Sequence, residues 1–147
     1  MSRKMIKADK LVRDKIPGII EKDGGKPVYF SIFGYPYQIA LYDKMEEEFN
    51  EFKQAVIHED SADILEELGD MYEVFVNIAK AHGYSMQDII DAADVKREEK
   101  GGFESHFFLK RYIKNDNNSS DSGIKEINEV FESEKEQKEY KSERLLF

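Results

Sequence analysis

Apolar residues recur at three- and four-residue intervals in two adjacent stretches of the chain, the period of amphipathic helices. Tyr42, Met45, Phe49, Phe52 and Val56 make the first stripe and predict a helix from about residue 38 to 58. Ile64, Leu68, Met71, Phe75 and Ile78 make the second and predict a helix from about 61 to 82, stopped by Gly83. Between them His58-Glu59-Asp60-Ser61 reads as a polar turn, with Asp60 or Ser61 as N-cap. So short a link predicts an antiparallel helical hairpin. Ser85-Met86-Gln87-Asp88 has the form of a capping box and opens a third helix that continues to Lys100, before Gly101.

Shorter elements flank these helices. Asp14 is placed to cap a short N-terminal helix with Pro17 in its first turn, ended by Asp23-Gly24-Gly25. The β-branched and aromatic run at 27–33 reads as a short strand, closed by Gly34 and Pro36, and 103–109 as a second that could pair with it. The expected fold class is therefore all-α, a helical-hairpin bundle with at most two short strands. The stripes on the long helices are wider than one hairpin can bury, which predicts a homodimer or homotetramer.

Composition shifts near residue 113. Residues 115–123 are Asn, Asp, Ser and Gly only, a linker composition, and 124–144 is highly charged with a thin apolar stripe at Ile124, Ile127, Val130 and Phe131. The expected organisation is one domain over 1–112, followed by a linker and charged tail over 113–147.

Overall charge narrows the function classes. The net charge of −9 disfavours a general nucleic-acid binder, which needs a basic face. There is no cysteine, which excludes disulfides, thiolate zinc sites and thiol catalysis and suits a reducing cytoplasm. The charged start and the lack of a long apolar run predict a cytoplasmic protein without a membrane span.

The acids are gathered, not dispersed. Glu48 and Glu51 stand three apart on the first long helix, and Glu67 and Asp70 three apart on the second. Residues at that spacing point the same way, so the hairpin can bring two carboxylate pairs to a common point. An oxygen-only acidic site suits magnesium or manganese. Glu48 lies beside Met45 and Phe52, and Glu67 beside Met71 and Val74, at the margins of the stripes. Acids pressed against a core require a partner or a cation. Glu-rich helices are more often solvated faces, and that reading holds for Glu46, which points away from the pairs. Two matched pairs at the edges of adjacent stripes favour a metal site. Asn77 lies on the side of Asp70 and offers a neutral polar contact.

These residues carry a resemblance. Glu47-Glu48-Phe49-Asn50-Glu51 and Glu67-Leu68-Gly69-Asp70 resemble the Glu-Glu-x-x-Glu and Glu-x-x-Asp hallmark of the MazG-type all-α nucleoside triphosphate pyrophosphohydrolases. Lys10 to Pro17 and Lys96 to Phe103 look like the ends of a stand-alone house-cleaning subgroup, often labelled phosphoribosyl-ATP pyrophosphohydrolase-like. The resemblance covers roughly residues 8 to 110, and the tail after Tyr112 lies outside it. It implies magnesium-dependent cleavage between the α- and β-phosphates, giving a nucleoside monophosphate and pyrophosphate. It implies Glu48, Glu51, Glu67 and Asp70 as metal ligands and Glu47 as an auxiliary acid that orients or deprotonates water, and it agrees with a homo-oligomer.

Phosphate contacts would fall to the basic residues, with Arg13 and Lys15 near the first helix and Lys96, Arg97 and Lys100 at the end of the third. For the last three, complementing the helix dipole is an equal alternative. Phe33 and Tyr37 are aromatic enough to stack on a base, but core packing is the better reading. His58, His82 and His106 lack metal-ligand spacing and read as surface or capping residues. Two alternatives stand beside the hydrolase: phosphoribosyl-ATP pyrophosphohydrolase of histidine biosynthesis, and, in a different class, a non-catalytic helical interaction protein with the charged tail as its arm.

Overall fold

The computed structural model describes residues 5–112, so the predicted linker and tail at 113–147 lie outside the described residues. Four helices follow in order: α1 (Ile16–Lys22), α2 (Tyr35–Ile57), α3 (Ser61–Ala81) and α4 (Met86–Lys100). The chain divides into two units, one to Asp94 and one from Val95 onward, with α4 spanning the division. The fold is all-α. Neither 27–33 nor 103–109 forms a strand. Local β-propensity without a ladder partner does not make one, and Val28, Tyr29 and Phe30 stand exposed to solvent.

The helices begin and end where capping chemistry allows. α1 starts after Lys15 with no side-chain cap, so Asp14 does not take the expected role. α2 begins three residues earlier than the stripe predicts, because Pro36 sits in its first turn behind Gly34. Proline fits there, since the first amides of a helix have no internal partner. Pro36, expected to close the preceding segment, instead opens α2. Ser85 and Asp88 exchange hydrogen bonds at the start of α4, with Ser85 N–H donating to Asp88 Oδ2 at 2.7 Å and Asp88 N–H to Ser85 Oγ at 3.2 Å.

The link between α2 and α3 is a tight reversal. Glu59 N–H donates to Val56 O and Asp60 N–H to Ala55 O, both at 3.2 Å, closing the end of α2 with Glu59 at φ +56°. Asp60 at once caps α3, its carboxylate accepting from the backbone N–H groups of Ala62 (3.0 Å) and Asp63 (3.2 Å). At the other end Gln38 Nε2 donates to Ala81 O at 3.2 Å. Tyr42 stacks on His82 with ring planes 8° apart, and its hydroxyl lies 2.6 Å from His82 Nε2. The start of α2 thus meets the end of α3, and the hairpin is antiparallel. His58 and His82 are the C-cap residues of α2 and α3, in keeping with the capping reading.

The hairpin follows the predicted stripes in part, with Met45, Phe52, Val56, Ile64, Met71 and Ile78 half-buried. On α2 the buried residues are Leu41, Glu48 and Ala55, seven apart, while Tyr42 and Phe49 stay largely exposed. On α3 they are Val74 and Ala79. Alanine at two of these positions lets the backbones approach, and the large aromatics are left outside. Phe49 stacks on Phe52 with Lys53 above its ring, 5.0 Å from the centroid. Leu65, Leu68, Tyr72 and Phe75 form an exposed apolar ridge along α3. Among the described residues, no helix is long and apolar enough to cross a membrane.

Candidate metal centre

Because the inward line of α2 runs through Leu41, Glu48 and Ala55, the hairpin draws an acid into its own seam. Glu48 is buried, with 3% of its surface exposed. Its Oε1 accepts from Lys44 Nζ at 2.5 Å, one turn earlier on the same helix. Its Oε2 is buried and has no hydrogen-bond partner among the described residues, and the same is true of Glu67 Oε2 on α3. Asp70, one turn beyond Glu67, completes the group. Ligand oxygens of Glu48, Glu67 and Asp70 all lie within 4.8 Å of one another, and this set could hold a metal ion.

The residues present fit a hard divalent cation. All donors are carboxylate oxygens, the set that magnesium and manganese favour. Two of the oxygens are buried without a donor among the described residues, an arrangement that costs free energy unless a cation or proton satisfies them. The electrostatics agree. Burial, and then repulsion from Glu51, Glu48 and Asp70, pushes the Glu67 carboxyl above the usual carboxylate range. These acids repel one another and gain from a shared positive charge.

The other predicted residues take varied positions. Glu51 is exposed and lies outside the convergent set, although its charge is felt at Glu67. Glu46 is exposed, as its angle predicts. Glu47 accepts from Lys10 Nζ at 2.5 Å and pairs with Lys44 Nζ at 3.2 Å. The Lys10 ammonium holds the Glu47 carboxyl below its usual range against the opposing effect of burial, and Lys44 adds to the effect. A carboxyl held below its usual range is a weaker base.

Arg13 Nη2 donates to Asp70 Oδ1 at 2.6 Å, so the expected phosphate contact stands on a carboxylate of the metal set. Lys15 is the N-cap residue of α1. Asn77 turns its amide nitrogen back onto Glu73, donating to its backbone O at 2.9 Å and to its Oε1 at 3.1 Å. Both of its N–H donors are thereby engaged on its own helix, which leaves none for a phosphate. Lys96, Arg97 and Lys100 belong to the second unit, where Arg97 Nη1 pairs with Glu104 Oε1 at 3.0 Å. Of the aromatics offered for stacking, Phe33 is exposed and Tyr37 half-buried.

Two lysines of the site were not singled out from sequence. Lys44 was legible, since it stands three and four residues before Glu47 and Glu48, the spacing of helical ion pairs. Lys10 had no local signal, because its partner lies 37 residues away.

No protein-family model, curated protein or solved structure matches the chain.

Proposed function

We propose that the chain is a cytoplasmic, magnesium-dependent nucleotide pyrophosphohydrolase that cleaves between the α- and β-phosphates and releases pyrophosphate, in house-cleaning of nucleotide pools. The observation that carries this reading is the convergence of Glu48, Glu67 and Asp70 within 4.8 Å, with buried, unpartnered oxygens on the two glutamates. The resemblance of the two acidic motifs to the MazG-type hydrolases supplies the reaction class.

A divalent cation held by these carboxylates would supply neutralisation and polarisation of the phosphate oxygens. The chain's own residues have defined parts. Glu48, Glu67 and Asp70 hold the cation, and Glu51 adds negative charge at their edge. Lys44 fixes Glu48 through one oxygen and leaves the other directed into the seam. Glu47 orients the attacking water, and Arg13, within reach of Asp70, neutralises substrate phosphate. The exposed ridge of Leu65, Leu68, Tyr72 and Phe75 supports a homodimer or homotetramer, because an apolar ridge of this length gains from burial against a second copy.

The test is pyrophosphate release from a panel of canonical and modified triphosphates, including phosphoribosyl-ATP, with magnesium present and absent. Magnesium-dependent release from at least one nucleotide is expected, and the preferred one separates house-cleaning from histidine biosynthesis. The same exposed ridge favours a second reading, a non-catalytic helical interaction protein. That reading predicts no release and no stabilisation of the fold by magnesium.

A further inference from the structure

The chain between Asp9 and Ile16 has no regular structure, yet it lies across the acidic seam and touches both of its helices. Asp9, at φ +44°, turns the backbone just before it. Lys10 reaches Glu47 on α2 and Arg13 reaches Asp70 on α3. Two cations from one strap therefore meet two acids from two helices.

The two contacts differ from that of Lys44. Lys44 is carried by α2 itself, and its side chain is only 18% exposed beside Glu48. The Lys10 and Arg13 side chains are each about half exposed, and ion pairs that exposed contribute little to stability. They are also carried by irregular backbone. Asp70 is claimed twice, by the Arg13 guanidinium and by the set of oxygens able to hold a metal ion. A guanidinium within hydrogen-bond distance of a carboxylate would stand a few ångströms from any dication on that carboxylate, and like charges at that range repel strongly.

We infer that Lys10 to Arg13 form an internal counter-cation strap, in which Arg13 and a divalent cation exchange at Asp70, so that metal loading frees Arg13 to meet the anionic substrate. The inference rests on the metal-centre reading above. It assigns the strap a function that a merely structural ion pair would not have: it orders the events, metal first and substrate second.

Two measurements on the full chain test it. The sequence has no cysteine, so Val12→Cys carries a single nitroxide label in the strap, at a position that is already partly exposed. Titration with magnesium should make the label more mobile in its electron paramagnetic resonance line shape. In parallel, calorimetric titration should show that Arg13→Gln binds magnesium more tightly than the wild type, by on the order of ten-fold. Lys15→Gln, which removes the same charge two residues along, should change affinity much less. Magnesium binding with an unaltered or more immobilised label, or with Arg13→Gln no tighter than Lys15→Gln, would overturn the strap while leaving the metal centre standing. No binding heat in the wild type would overturn both.

Discussion

Glu48 and Glu67 meet across the α2–α3 hairpin, each with a buried carboxylate oxygen that no donor among the described residues satisfies. Lys44 offsets only one oxygen of Glu48, and a buried carboxylate oxygen left without a donor or cation costs free energy.

Removing one charge at a time should separate the working acids from the bystanders. Glu48→Gln, Glu67→Gln and Asp70→Asn should each lower magnesium-dependent turnover by on the order of 10²-fold or more. Glu51→Gln should lose less, since Glu51 is exposed outside the convergent set. Glu46→Gln should remain close to the wild type. Steady-state pyrophosphate release across the five variants checks this ordering, and equal activity in all would remove the site.

Stability without metal should depend on pH through Glu67. Burial and its acidic neighbours hold this carboxyl above its ordinary value of 4.5 in the folded chain. The folded state thus binds that proton more tightly than the unfolded state, and stability falls as pH rises through the interval between the two values. Above 4.5 this carboxyl therefore opposes folding. Glu67→Gln should accordingly raise the melting temperature in chelator at neutral pH, and the gain should shrink as pH falls towards 4.5. Thermal melts in chelator at several pH values read the sign directly.

Much of the fold was legible because its punctuation is local. Asp60, Gly83, the Ser85–Asp88 box and Gly101 mark helix ends by chemistry that acts within a few residues. The face each helix presents was harder to read. Phe49, Leu68 and Phe75 belong to the hydrophobic stripes yet stay exposed, whereas the buried seam combines Leu41 and Val74 with the small Ala55 and Ala79 and carries Glu48 with them. The acidic motifs were visible as spacing, and so was Lys44 in principle. The placement of Lys10 on Glu47 and Arg13 on Asp70 is a tertiary relation with no periodic signature.

The hairpin reversal offers two opposed substitutions. Asp60→Ala removes the acceptor for two backbone amides at the start of α3 and should cost about 1 kcal/mol. Glu59 sits at φ +56°, where glycine alone is free of the Cβ penalty, so Glu59→Gly should stabilise by about 0.5–1 kcal/mol. Chemical denaturation of both variants beside Leu41→Ala calibrates the scale. Leu41 is 2% exposed in the seam, and its truncation should cost roughly 2–4 kcal/mol.

The exposed ridge of α3 should hold subunits together. Leu68→Glu places a charge at its centre and should shift the protein to monomer in sedimentation velocity while the helical circular dichroism signal is kept. A wild-type chain that is already monomeric at micromolar concentration would contradict the assembly.

The most direct test of the metal centre is calorimetric titration of magnesium into the wild type, Glu46→Gln, Glu48→Gln and Glu67→Gln. The account predicts saturable binding in the wild type and in Glu46→Gln, and its loss or severe weakening in the other two. No binding in the wild type, or equal binding in all four, would contradict it.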